Sequence, residues 1–528
     1  MHPAPGVEEA ARVEPAGHFP PARRTLAFSA AEAALVVAGA GLVAWLGSRA
    51  DVFTLDGYYY LAKAKSLIGG QGLSVPWNDG ADARFFWGYS LALALPVKLF
   101  GEAGFWALSA GLYAATGFVF ARILRRLPVG PEGRVAAVAL AVFNPVALRW
   151  AAVPMPEPLL GLLAAAAVLF ALRWRQGSGA WSLLVASLFA GLALFTRAEG
   201  LLAVAAVGAA AWSRVRAERR WALLVACAVL AVAAEGVHVG YVLADGASLA
   251  SLDGVAPQVQ KTSLFQAAWT HVRAPYWMIF RFDSEPWLYS RFFPPWLTAV
   301  QGFVLALYLL SMVAALVSGF YKRGFAFVCA VGALVLALID GAWHPDLARF
   351  EYLVHLGAAL VLAWGLEKAF FWARPRTRAT GVLALALGCV VFAGLYGVRA
   401  VQMQAARLAL EAGGRDFRAI AKVVNEHNRE RRPVVTDLGP SLALYLDAHA
   451  WFDGDERGYY FDAVPSGADG RDFLSDRDVR VVAYGRRVRD VEELFALSEG
   501  EARAVKAPGA TVLVFERPVV AAGVAAAE

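Results

Sequence analysis

Long apolar runs recur along this chain, separated by short polar or arginine-rich breaks. They fall near 27–48, 103–124, 134–150, 157–173, 180–196, 199–213 and 220–243, and again near 296–319, 324–340, 349–371 and 379–399. Most approach the roughly 20 residues that a helix needs to cross the hydrocarbon of a bilayer. The pattern predicts a mainly α, polytopic membrane helical bundle. One block, GYSLALALPVKLF at 88–100, is short and contains Pro96 and Lys98.

Basic residues cluster at Arg23–Arg24, Arg122–Arg134, Arg173–Arg175, Arg214–Arg220, Lys322–Arg323 and Arg374–Arg378. Cytoplasmic loops carry an excess of Lys and Arg. All six clusters fall on one side if 88–100 lies along the membrane surface as a juxtamembrane helix. That reading gives about 11 spans, an inside N-terminus and an outside C-terminus. The outer face then receives the loops 49–102 and 244–295, the turn 151–156 and everything after 400. Trp150, Trp296 and Trp343 fall near outer span ends, where interfacial anchors belong. Residues 1–26, rich in Pro, Ala and Glu, are expected to be a disordered cytoplasmic N-terminus.

From 401 the pattern changes. Runs such as FRAIAKVVNEHN, PVVTDLG, VRVVAYG, VEELFAL and TVLVFERP alternate charged helical stretches with β-rich ones. Residues 401–528 are therefore expected to form a small extracytoplasmic α/β domain with a tail, after a transmembrane unit over 27–400.

Composition agrees with the membrane reading. The chain is 59% hydrophobic and 17% charged, against about 25% charged in soluble proteins. The net charge of +6 comes from arginines between apolar blocks and is not a nucleic-acid signature. Cys227, Cys329 and Cys389 lie inside apolar segments without metal-ligand spacing and read as buried small hydrophobes.

Polar residues gather at the predicted outer boundary. In FTLDGYYYLAKAKSLIGGQGL (53–73), Asp56 starts a short helix at 57–68 that ends at Gly69 and Gly70. Leu61, Ala64 and Ile68 share one face and Lys63 points elsewhere, as in an amphipathic surface helix. Asp56 has two readings here: an N-cap worth about 1 kcal/mol, or a reactive carboxylate. Gly69–Leu73 is no dinucleotide motif, since it follows a helix rather than a strand. Glu157 opens a span in VPMPEPLLGLL, where an acid suits the helix dipole but stands at the edge of hydrocarbon. Arg197 and Glu199 in LFTRAEGLL read as a surface ion pair or as site residues. His344 and Arg349 in GAWHPDLARFEYLVHL mark another outer turn, with headgroup snorkelling as the simpler role for Arg349.

These stretches carry a resemblance. LDGYYYLAKAKSLIGGQGL, WGYSLALALPVKLFG, NPVALRWAAVPMPEPLLGLL, LFTRAEGLL and ARFEYLVHL occur in the order found in the GT-C membrane glycosyltransferases. That superfamily includes protein O-mannosyltransferases and the lipid A aminoarabinose transferase. The likeness covers most of 27–400. It implies an inverting enzyme that moves a sugar from a polyprenyl-phosphate donor to a lipid, glycan or protein acceptor. It also implies an integral membrane protein, with a bacterial inner (cytoplasmic) membrane location and a site on the extracytoplasmic side. By the same resemblance Asp56 is the catalytic base and Glu157 the second-loop acid. Many relatives carry a second acid after the first, where this chain has Gly57.

Arg349 is the first candidate for the donor phosphate, followed by His344 and Lys63. Glu157 and Glu199 are supporting acids or ligands of a possible divalent metal; the sequence leaves the cofactor unknown. Membrane lipids are expected partners, and nucleic acids are not. The alternative is a non-catalytic polyprenyl-lipid-binding or transport protein. Such a protein would place polar residues in mid-span, and only Glu235 and His238 fit that description well.

Overall fold

A computed structural model describes residues 22–49, 55–73, 87–244, 416–452 and 464–521, less a few positions, with short pieces between 356 and 402. The expected spans at 296–319 and 324–340 and most of 349–371 lie outside the described residues, as do His344 and Arg349, and with them Trp296 and Trp343.

Among the described residues of the first half there are ten α-helices: α1 (Ala22–Arg49), α2 (Leu55–Ile68), α3 (Trp87–Phe100), α4 (Ala103–Leu124), α5 (Pro131–Val142), α6 (Pro145–Ala151), α7 (Glu157–Arg175), α8 (Ala180–Thr196), α9 (Leu201–Glu218) and α10 (Trp221–Ala244). Among the described residues, α1 from Ala27, α4 and α7 are long and apolar enough to cross a membrane; α8 and the apolar parts of α9 and α10 are shorter. Small residues let α7 and α8 lie close together. Ala164, Ala167 and Ala171 of α7 share a core with Ala186, Ala190 and Ala193 of α8.

α3 is a 14-residue helix, about 21 Å long at 1.5 Å per residue, too short to span. It buries Tyr89, Leu93 and Val97 while Leu91, Leu95 and Leu99 remain exposed. That outward leucine ridge suits a helix lying along the bilayer surface.

The apolar run 134–150 does not form one straight helix. It divides into α5 and α6 at Asn144–Pro145. Pro145 lacks an N–H and disfavours helical backbone in the residue before it. The groups freed at the break find partners: the Tyr113 hydroxyl donates to the Val142 carbonyl at 2.7 Å, and Asn144 Oδ1 accepts from the Ala147 N–H at 3.1 Å. Trp150 in α6 is only 7% exposed, so it is a packed core residue and not an interfacial anchor.

A buried acid closes the arginine end of the bundle. Glu32 of α1 accepts from Arg125 Nη2 at 2.6 Å and Arg134 Nε at 3.1 Å, joining α1 to the α4–α5 turn and to α5.

The C-terminal residues form a five-stranded sheet of order β2-β1-β3-β5-β4, with β1 (Val434–Thr436), β2 (Ala450–Phe452), β3 (Val481–Tyr484), β4 (Arg503–Ala507) and β5 (Ala510–Val514). β1 is parallel to β2 and β3; β5 is antiparallel to β3 and β4. Alternate residues serve opposite faces. Val434, Val481 and Val512 meet Ile420 and Val424 of α11 (Phe417–His427). Val435, Val482 and Leu513 meet Leu474 of α13 (Gly467–Asp476) and Val491 of α14 (Val488–Leu494).

The sheet is tied to the first loop. α12 (Gly439–Ala443) packs on α2, and Ala443 and Leu444 share a core with Tyr58–Ala62. Lys65 Nζ donates to the Leu444 carbonyl at 3.3 Å and lies over the Tyr445 ring, 5.7 Å from its centroid.

This contact predicts that α2 and the sheet occupy the same side of the membrane. A sidedness reporter inserted between residues 74 and 86 and one fused after 528 should give matching signals. Opposite signals would contradict the packing.

Candidate functional site

The site is built at the end of the bundle where α7 begins and α8 ends. Proline-rich VPMPEP starts α7 with Glu157 in its first turn. Arg197 is the residue that caps the end of α8, in extended backbone. A single 3₁₀ turn, Ala198–Gly200, then brings Glu199 back toward it. Gly200 lies so close against the Ala193 and Leu194 backbone that a Cβ has no room, so glycine allows the fold-back.

Arg197 bridges both acids. Its Nε donates to Glu199 Oε1 at 2.9 Å and Oε2 at 3.0 Å, and its Nη1 donates to Glu157 Oε1 at 2.9 Å. Glu157 is 0% exposed, Glu199 6% and Arg197 8%. The surface ion pair considered from the sequence is therefore a buried three-residue cluster. Burial disfavours the Arg197 charge, but Glu199 and then Glu157 outweigh that effect, and the guanidinium pKa is raised.

Two tyrosines connect this cluster to the first loop. Tyr60 of α2 lies within electrostatic reach of Arg197. It meets Tyr89 of α3 edge to face, centroids 5.4 Å apart at 85°. Ser90 Oγ donates to the Tyr60 carbonyl at 3.1 Å. Burial pushes the Tyr89 phenol up; the nearby Ser109 hydroxyl acts the other way and the Glu157 charge adds to the rise.

α2 differs from the amphipathic surface helix expected. Tyr58–Ala64 are all buried, and Lys63 is 0% exposed. α3 and α12 cover it from two sides, partners that its own periodicity does not reveal. The helix begins at Leu55, so Asp56 lies within its first turn instead of before it. The Asp56 side chain is outside the description. Its position is one turn before Tyr60 and two turns before Lys63, spacings that share a helical face.

Of the sequence candidates, Glu157 and Glu199 meet each other through Arg197, and Lys63 is buried in the adjoining helix. Glu235 is half-buried in α10, and the His238 side chain lies outside the description. Among the described residues no group of His, Cys, Asp and Glu is arranged to hold a metal. Glu157 and Glu199 instead take a guanidinium as their cation. Glu32, Tyr60 and Tyr89 were not among the candidates. An acid inside the first apolar run was a visible signal for Glu32.

No family model matches the chain, and no curated protein matches it. Solved structures do. The apo ArnT of Cupriavidus metallidurans aligns over 93% of this chain and 97% of its own, with TM-score 0.53 and 13% identity. The same protein bound to undecaprenyl phosphate gives TM-score 0.51 at 13% identity, over 93% of this chain and 98% of that one. This chain shares its overall fold with that protein. The archaeal oligosaccharyltransferase AglB from Archaeoglobus fulgidus, in complex with an inhibitory peptide and a dolichol-phosphate, aligns over 86% of this chain and 69% of its own, with TM-score 0.50 and 13% identity. These alignments cover most of the chain at low identity, so the likeness is one of overall architecture.

The buried cluster generates a stability prediction. Arg197→Met leaves two carboxylates buried without their cation and should cost about 3–5 kcal/mol, read as a lower thermal midpoint in detergent. Adding Glu199→Gln should recover part of the loss. A single variant as stable as wild type would mean the cluster holds nothing.

Proposed function

We propose that this protein is a membrane glycosyltransferase that moves a sugar from a polyprenyl-phosphate donor to a lipid, glycan or protein acceptor. The observation that carries the reading is that α2 is buried and its Tyr60 lies within electrostatic reach of Arg197 in the Glu157–Arg197–Glu199 cluster, with the Asp56 and Lys63 positions at helical spacing from Tyr60. The fold shared with ArnT and AglB supports it, as does the sequence resemblance to the GT-C enzymes.

In this reading the acceptor hydroxyl attacks the anomeric carbon as Asp56 takes its proton. The bond from that carbon to the donor phosphate oxygen breaks, and polyprenyl phosphate leaves with the electron pair. Direct displacement inverts the anomeric configuration. Arg349 pairs its guanidinium donors with the phosphate oxygens, with His344 and Lys63 adding positive character. Glu157 and Glu199 act through Arg197, which holds the floor under α2. They are positioning residues. Residues 401–528 form an α/β domain on the same, extracytoplasmic side of a bacterial inner membrane, above a transmembrane unit over 27–400.

The test is transfer by purified full-length protein from a panel of polyprenyl-phosphate sugars into membrane extract. Asp56→Asn keeps the side-chain shape but cannot accept a proton as a carboxylate does. Transfer should fall at least ~100-fold while donor binding and thermal stability persist. Near-full transfer by Asp56→Asn would move the base elsewhere. A wild-type protein that binds donor but transfers from none of them would favour a polyprenyl-lipid-binding or transport protein.

Arg349 has its own test. Arg349→Lys keeps the charge but loses paired donors, so donor affinity should drop, and Arg349→Ala should lower it further. Unchanged affinity in Arg349→Ala would leave only headgroup snorkelling for this residue.

A further inference from the structure

The opposite end of α7 carries a second concentration of charge. The helix has 19 residues, which separate its ends by about 28 Å. At the far end a cavity of about 560 Å³ is lined by Arg122, Arg125, Arg126, Leu169, Arg173 and Gln176.

Arginines in the last turn of a helix suit its dipole, and basic residues flank spans generally. Side chains serving only those roles fan outward into water. Here they converge and are held in place. Arg126 Nη1 donates to Gln176 Oε1 at 2.6 Å, and Gln176 Nε2 donates back to the Arg126 carbonyl at 3.1 Å. Arg173 lies over the Phe170 ring at 5.2 Å, with its Nε buried and unbonded. Arg125 is neutralised by Glu32. No acid is among the lining residues, so Arg122, Arg126 and Arg173 leave the cavity strongly cationic.

The surroundings set its depth. Trp181, at the start of α8 and five residues after Gln176, is 73% exposed. Trp212 and Trp221, at the same end of α9 and α10, are 51% and 48% exposed and meet edge to face at 6.0 Å. Exposed tryptophans gathered at one end of a helical bundle mark the membrane–water interface. Leu169 places an apolar wall beside the guanidiniums.

We propose that this cavity binds the phosphate of an anionic phospholipid headgroup, in the leaflet opposite the one nearest the Glu157–Arg197–Glu199 cluster. Guanidinium donors match phosphate oxygens in pairs, and basic pockets between spans hold anionic headgroups. The tryptophans and Leu169 favour a lipid over a soluble anion, because they place the site where acyl chains begin. The proposal is independent of the transferase reading.

The test uses delipidated full-length protein in detergent, titrated with phosphatidylglycerol or phosphatidylcholine and followed by native mass spectrometry. Wild type should prefer phosphatidylglycerol. Arg122→Gln with Arg173→Gln should weaken phosphatidylglycerol binding about 30-fold and leave phosphatidylcholine unchanged. Arg122→Lys with Arg173→Lys should fall between, since charge remains and paired donors do not. A folded glutamine variant with full preference, or a wild type with none, overturns the site. If the glutamine variant does not fold, the lysine variant and the wild-type preference decide. Inorganic phosphate is the competing ligand: phosphate that binds as tightly as the lipid and displaces it overturns the lipid assignment in favour of a soluble anion.

Discussion

One guanidinium shared by two buried carboxylates sets the geometry at the end of the bundle where α7 starts and α8 stops. Removing an ion from water costs several kcal/mol even after the protein relaxes. Glu157, Arg197 and Glu199 are each offset only while all are in place. The requirement fixes the start of α7 against the turn after α8. Tyr60 and Tyr89 lie within electrostatic reach of that cluster, and α3 packs on α2 and on α8. A rigid floor of this kind is what reactive groups in a loop need, because small misplacements of reacting atoms lower rates steeply.

The two ends of α7 have opposite electrostatic character. At Glu157 two acids surround one arginine, leaving negative charge in excess. At Arg175 several arginines surround a cavity without an acid. The helix dipole favours both arrangements, with carboxylates near its N-terminus and guanidiniums near its C-terminus. The same 19-residue helix therefore supports two unlike polar environments separated by a dry alanine- and leucine-rich middle.

Much of this was legible from the chain alone. Phe105 to Ile123 is apolar enough that the expected span 103–124 and α4 coincide, and 157–173 lies within α7. The short 88–100 block corresponds to the 14-residue α3, with Pro96 inside the helix. The break at Asn144–Pro145 was also written in the sequence, since that dipeptide is a turn signal, but the hydrophobicity around it hid the interruption. The burial of Lys63 was not legible. Helical periodicity describes one element at a time, whereas α2 is enclosed by residues about 30 and 380 positions away in sequence. The Arg197–Glu157 pairing was hidden for the same reason: Glu199 is two residues from Arg197, but Glu157 is 40. The acids themselves stood out because a carboxylate at the edge of hydrocarbon is expensive.

The bond from Lys65 to the Leu444 carbonyl joins residues 379 positions apart. A ribosome adding about 5–20 residues per second takes on the order of 20–80 s to make that length. During this interval α2 waits without α12 over it. The burial of Tyr58–Ala62 is completed only when the end of the chain has emerged and folded. The enclosed first loop thus belongs to the finished protein, and a nascent chain halted before residue 439 carries α2 with one of its two covers missing.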